Sequence, residues 1–319
     1  VLLAAIILGT RAFYTVIVSP TYTKADALRQ LELLGERQPS VLHTESEIGV
    51  ENAQSKPANL IDIIARGVLN VCFQPNEYPS AFYNNATPHQ LVGFDIEIAH
   101  RMAQRTNVSL AFFPALDESE GMRLLNSRVC DIYMLTLPVS ALRTHMFALT
   151  DPIYESAVGL IVRDHNRHAF TTWREIDKLG ADFRLGVDGS LSSMAMSRDL
   201  FPHASLTPIK DMAEQDSILE SGAQDLDAIT DMAEEGGAWT LLYPAFTVIV
   251  PQPAALIPVA YAVARDNDEL LISTNAWLQA EKSKGNIDEL YNYWMLGGAI
   301  QEQRPPRWSV IKDILRWVD

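Results

Sequence analysis

Residues 140–154 read Ser-Ala-Leu-Arg-Thr-His-Met-Phe-Ala-Leu-Thr-Asp-Pro-Ile-Tyr, a mostly apolar run that carries one arginine, Arg143, and ends in a turn. A guanidinium presents a planar fork of donors that matches a carboxylate, and at the edge of a partly dry cleft it makes a strong charge-assisted pair. Arg143 is therefore either an anion clamp or an ordinary surface cation. A second candidate is Gly186-Val187-Asp188-Gly189-Ser190-Leu191-Ser192-Ser193, which reads as strand, turn and helix start. Free N–H groups and the helix dipole favour an anion at such a turn. Ser190 and Ser192 are plausible ligand contacts, with Ser192 or Ser193 as a plain helix cap the alternative. Asp188 either meets a basic group on a ligand or faces water.

The elements that must hold these residues alternate between two periods. Short apolar runs predict strands at 69–73, 109–113, 131–135, 158–163, 184–187, 228–230, 247–251 and 259–264, and longer amphipathic runs predict helices at 95–105, 121–127, 192–200, 211–220, 270–284 and 287–294. Alternation of this kind predicts an α/β architecture. The chain has 319 residues, 48% of them apolar and 20% charged, enough for two cores. A net charge of −15 argues against nucleic acid, whose phosphates would be repelled. The sequence shows no zinc spacing among its seven histidines and two cysteines and no Gly-rich phosphate loop, so no metal or cofactor is expected. Cys72 and Cys130 fall on or beside neighbouring strands, where parallel cross-strand geometry is awkward for a disulfide, so two buried thiols are expected.

Four segments carry a family resemblance: the helix end and strand of residues 61–73, Tyr78-Pro79-Ser80-Ala81-Phe82, Leu91-Val92-Gly93-Phe94-Asp95-Ile96-Glu97-Ile98-Ala99, and Asp131-Ile132-Tyr133-Met134-Leu135 ahead of Arg143. From about residue 61 to 297, their order and spacing resemble the extracytoplasmic solute-binding proteins of the polar amino acid uptake family, the type II periplasmic binding proteins (family 3). The resemblance implies a two-lobed fold, each lobe a mixed sheet flanked by helices, with two crossover strands near 155–164 and 253–265. It also implies that Arg143 grips a ligand carboxylate, helped by donors between Thr136 and Ser140. Pro138 departs from the pattern, because it falls where relatives offer an N–H and proline has none. Asp231 matches the position that receives an α-ammonium, with a helix cap as the alternative. Tyr78 and Phe82 match aromatic residues placed against the ligand's aliphatic part, although Phe82 also fits the core. Leu191 departs from the Gly-Thr-Ser usual at the second turn. Asp117 and Glu118 would lie near the cleft mouth, either selecting charge or, the preferred reading, solvated in a loop.

The ends suggest a tether. Residues 1–18 are almost wholly apolar and read as the remnant of a membrane anchor rather than a signal peptide. Residues 19–58 read as a linker with a short helix over 24–35, Ala27, Leu28, Leu31 and Leu34 sharing one face. Lobe one is expected at 59–158 and 259–298, lobe two at 159–258, and an amphipathic tail at 299–319. This layout resembles binding domains fused behind dicarboxylate/amino acid:cation symporter membrane domains. The implied function is non-enzymatic: periplasmic or extracytoplasmic binding of an amino acid or related small carboxylate, held at the inner membrane, for delivery to a transport domain upstream on the same polypeptide in the fused arrangement. Alternatives on the same fold are a cyclohexadienyl or arogenate dehydratase-like enzyme and the ligand-sensing domain of a membrane receptor.

Overall fold

A computed structural model of the chain describes residues 24–47 and 56–298, so the anchor and tail expected at 1–18 and 299–319 lie outside the described residues. The order is α1 (Lys24–Arg29), β1 (Ser40–Leu42), α2 (Leu60–Arg66), β2 (Val68–Phe73), β3 (Phe82–Tyr83), β4 (Leu91–Val92), α3 (Phe94–Thr106), β5 (Ser109–Pro114), α4 (Glu118–Asn126), β6 (Ile132–Pro138), α5 (Ala141–Met146), β7 (Ala148–Leu149) and β8 (Tyr154–Arg163). It continues with α6 (Trp173–Asp177), β9 (Arg184–Asp188), α7 (Leu191–Leu200), β10 (Ser205–Ile209), α8 (Met212–Glu220), β11 (Ala228–Met232), α9 (Ala233–Leu242), β12 (Phe246–Ile249), β13 (Leu256–Val263), α10 (Asp268–Ser283) and α11 (Asn286–Trp294).

Strand order is β1-β5-β2-β6-β13-β8-β11-β9-β10, with β12 also on β8 and β7 also on β13. The long strands β8 and β13 run between the two halves, pairing antiparallel from Leu256 opposite Ala157 to Val259 opposite Tyr154. On one side, β2 lies parallel to β5 and β6; on the other, β9 lies parallel to β10 and β11. Strands covered on both faces by helices need continuous apolar runs, and the buried Val-Leu-Asn-Val-Cys-Phe of β2 meets that need. Lobe one packs around residues such as Phe73, Phe94, Ile98 and Tyr261, and lobe two around Leu160, Leu185, Ile229 and Trp239.

Local signals set the elements beside the cleft. Asn59 and Asp62 form a capping box at the start of α2, and Gly67 closes its end in the left-handed conformation. Gly93, at φ +134°, opens α3, where a Cβ would sit 2.2 Å from the Ser80 carbonyl oxygen; only glycine allows this approach.

Three sequence expectations change. First, the helix expected over 24–35 stops at Arg29. The Arg29 carbonyl accepts from Asn85 N and the Leu31 carbonyl from Asn84 Nδ2, so lobe one takes acceptors that further turns would need. Leu28 and Leu31 are buried, whereas Leu34 is exposed. Second, the stretch read as linker supplies an edge strand: β1 lies parallel to β5, and His43 stacks on Phe113 at 4.3 Å. Its side chains are exposed, so no apolar period marked it. Third, Cys72 and Cys130 are joined in a disulfide, with Cα atoms 5.6 Å apart. Cys130 precedes the first paired residue of β6, so the objection based on paired parallel strands does not apply to it.

Candidate functional site

A cavity of about 110 Å³ lies between the lobes. Its walls come from the carboxyl ends of β6 (Thr136, Pro138), β9 (Asp188) and β11 (Asp231), where open α/β sheets commonly hold ligands. Glu77 from the segment after β2, Glu118 at the start of α4, Glu235 in α9 and Arg143 add charged groups to the lining, beside the neutral Gln74, Ser193, Ser197 and Thr230. Val158, Val187, Met196 and Met232 provide apolar wall.

Arg143 faces this cavity but its fork is occupied. Nε donates to Glu118 Oε1 at 3.0 Å and Nη2 to Glu118 Oε2 at 2.9 Å, a bidentate pair between side chains that are nearly inaccessible to water. Nη1 donates to the Pro138 carbonyl at 2.9 Å, and Nη2 also donates to Ser193 Oγ across the cleft at 3.1 Å. Ser192 Oγ donates to Glu118 Oε1 at 3.1 Å, so the pair ties lobe one to the start of α7 in lobe two. Glu118 is thus no solvated loop carboxylate: α4 begins at Glu118 rather than at the expected residue 121, with Asp117 as its cap, and that turn carries Glu118 inward.

A family model describing bacterial extracellular solute-binding proteins, family 3, matches residues 69–297. The chain belongs to this family. The ABC transporter glutamine-binding protein GlnH of Bacillus subtilis (strain 168) is 26% identical over 220 residues, 66% of this chain and 75% of that protein. Solved structures share the fold. AbpA of Streptococcus pneumoniae, bound to L-arginine, is 21% identical with a TM-score of 0.63, covering 73% of this chain and 96% of that one. A putative ABC transporter binding component of Wolinella succinogenes, complexed with lysine, is 20% identical with a TM-score of 0.64, covering 75% and 100%. An ancestral amino acid-binding protein described as a precursor of cyclohexadienyl dehydratase is 23% identical with a TM-score of 0.64, covering 74% and 99%.

In this family 3 protein, four of the candidate residues, Arg143, Asp231, Thr136 and Asp188, line one cavity. Ser192 joins them through Glu118. Ser140 and Ser190 spend their hydroxyls as caps of α5 and α7. Phe82 is fully buried in the lobe-one core, and Tyr78 packs between it and Trp239 with ring centroids 4.9 and 5.6 Å away; neither lines the cavity. Asp231 does not cap α9, whose N-cap is Met232; its Oδ1 accepts from Met232 N. Glu77 and Glu235 were not anticipated. Their only signal was position, Glu77 next to Tyr78 and Glu235 one helical turn beyond Asp231.

The carboxyls of the cleft outnumber its cations. Among the described residues, no lysine, arginine or histidine forms an ion pair with Glu77, Asp231 or Glu235. Burial raises Glu77 well above its ordinary value, reinforced by Asp231, Asp188 and Asp95. Burial likewise raises Glu235, reinforced by Glu77 and Asp231. Asp231 is pushed up to about 6, again by burial, although a hydrogen bond from Glu235 holds it down in part. Glu235 Oε1 also accepts from Thr136 Oγ1 at 3.2 Å. Among the described residues no cluster is arranged to hold a metal ion.

A pH dependence follows. A cation in the cavity favours the ionised carboxyls, so binding releases protons, and its affinity should fall as pH drops through about 6, by up to about tenfold per unit from Asp231 alone. The ligand-free protein should behave in the opposite sense. Asp231 and Asp95, the latter buried and pushed up to about 7, contribute stability below their ordinary values that is lost as pH rises through 6 and 7. His100, buried and held near 4, opposes this with one proton below 6.5. Titration calorimetry between pH 5 and 8 in buffers of different ionisation heat checks the proton release. Affinity independent of pH contradicts the assignment.

Proposed function

We propose that the chain is the extracytoplasmic capture component of a solute uptake system and closes on a small organic cation of the basic amino acid class, the amino acid itself or its amine relative. The carrying observation is the set of carboxyls at Glu77, Asp188, Asp231 and Glu235 around a cavity whose arginine is already paired. Buried carboxyls without a cationic partner are costly, and a bound ammonium or guanidinium supplies the missing charge. Relatives crystallised with L-arginine and with lysine support this reading. Family membership and the similarity to GlnH support delivery to a membrane transport component.

The reading is of binding without turnover. A dehydratase-like substrate with two carboxylates would meet further carboxyls in place of an open cationic fork. A melting screen tests the proposal. At a ligand concentration about 100 times Kd, linkage gives ~2.7 kcal/mol, which for a domain of this size raises the melting temperature by about 5–10 °C. That rise is expected with arginine, lysine or their amines and not with glutamate, aspartate or C4 dicarboxylates. Stabilisation by the acidic compounds alone would overturn it.

A further inference from the structure

The place in this cleft best suited to a ligand carboxylate is filled by the protein itself. Arg143 has five N–H donors, and four are engaged: two by Glu118, one by the Pro138 carbonyl and one by Ser193. The Glu118 carboxylate sits between the guanidinium and the first turn of α7, where Ser192 donates to it. That is the anion position of the cleft, with charge, dipole and hydroxyl all directed at one carboxylate. The next source of donors on β6 is removed by Pro138, which has no N–H and uses its carbonyl to hold Arg143. The charged side chains that remain on the lining are all acidic, Glu77, Asp188, Asp231 and Glu235, with the neutral Gln74, Ser197 and Thr230 and apolar side chains such as Val187 and Met196 between.

We infer that Glu118 acts as a built-in carboxylate that takes the anion subsite, so that the cleft selects an organic cation lacking a carboxylate, an alkyl amine or aminoalkyl guanidine, over the corresponding amino acid. The inference rests on the cationic-ligand reading above and adds to it the role of Glu118 as a specificity-determining residue. Such a ligand places one cationic head among the carboxyls of Asp231 and Glu235 and runs its methylenes along the apolar wall. It leaves the Glu118–Arg143 pair, and hence the tie to Ser192 and Ser193, intact on closure. An amino acid has to expel Glu118 from the fork or bring its own carboxylate into an acidic space, and both cost affinity.

The test compares agmatine with L-arginine, two molecules that differ by one carboxylate, by titration calorimetry on the unaltered protein at pH 7.5. Agmatine is expected to bind at least tenfold more tightly. Glu118→Gln keeps the shape and one acceptor oxygen but loses the second acceptor and the charge pair, and should narrow or reverse that ratio by strengthening arginine. Its melting curve shows whether the variant remains folded, and the comparison on the unaltered protein needs no variant. Equal or tighter binding of arginine to the unaltered protein overturns the role of Glu118 while leaving the cationic cleft standing. Absence of binding by agmatine, putrescine, arginine and lysine alike overturns the cationic reading itself.

Discussion

Replacing Asp231 by asparagine should weaken binding of a cationic ligand by about two orders of magnitude, while the melting temperature of the empty protein stays level or rises. Removing one partner of a buried hydrogen-bonded charge pair typically costs ~3 kcal/mol of affinity. Burial pushes Asp231 only to about 6, whereas Glu77 and Glu235 are raised well above their ordinary value, so at neutral pH Asp231 offers a charge that a cation meets. Stability moves differently. In the empty cleft the Asp231 charge is buried near Glu235 and Glu77, and the asparagine oxygen can still accept from Met232 N. Calorimetric titration beside a melting curve separates the two effects. Affinity retained within threefold would remove Asp231 from the site, and a loss of folding would show that it is structural instead.

Opening the Cys72–Cys130 bond should cost about 4 kcal/mol of stability. The bond joins residues 58 apart in sequence, and the chain-entropy relation for a loop of that size gives ~4 kcal/mol. For a protein of this length that corresponds to a fall of about 8–16 °C in melting temperature. Both residues are buried, so in the folded state reductant should act slowly unless the protein is warmed. The paired change Cys72→Ala with Cys130→Ala measures the effect without reductant, and a shift below 2 °C would show that the bond contributes little. The bond also bears on the site. It fastens β2, which leads into Glu77, to the segment before β6, which carries Thr136, so the double variant should bind more weakly even where it remains folded.

Many of the strands and helices around the cleft were legible because each obeys a strong local rule, whereas α5 and α9, which carry Arg143 and Glu235, were not among the predicted helices. The buried apolar run of β2, the Gly93 entry to α3 and the apolar spacing of α10 and α11 all act within a few residues of themselves. Edge strands β1 and β10 were not legible. Their side chains are largely exposed and backbone pairing to β5 and β9 holds them, which leaves little imprint on residue type. At the site, Arg143 and Asp231 could be recognised from motif position, but charge balance could not. Whether Glu118 is solvated or buried against Arg143 depends on where α4 begins, a matter of one helical turn, and on Ser192 arriving from 74 residues away. Glu77 and Glu235 reach the cavity from separate lobes, and nothing in their immediate neighbours announces it.

Helix α1 has a further consequence. Asn84 and Asn85 fix its end to lobe one, while Leu28 shares a buried cluster with Ala238 and Leu242 of α9 in lobe two. Any hinge motion that parts the lobes must peel this seam and expose Leu28. A separation of the lobes would thus bare an apolar side chain on the face that α1 covers, away from the cavity.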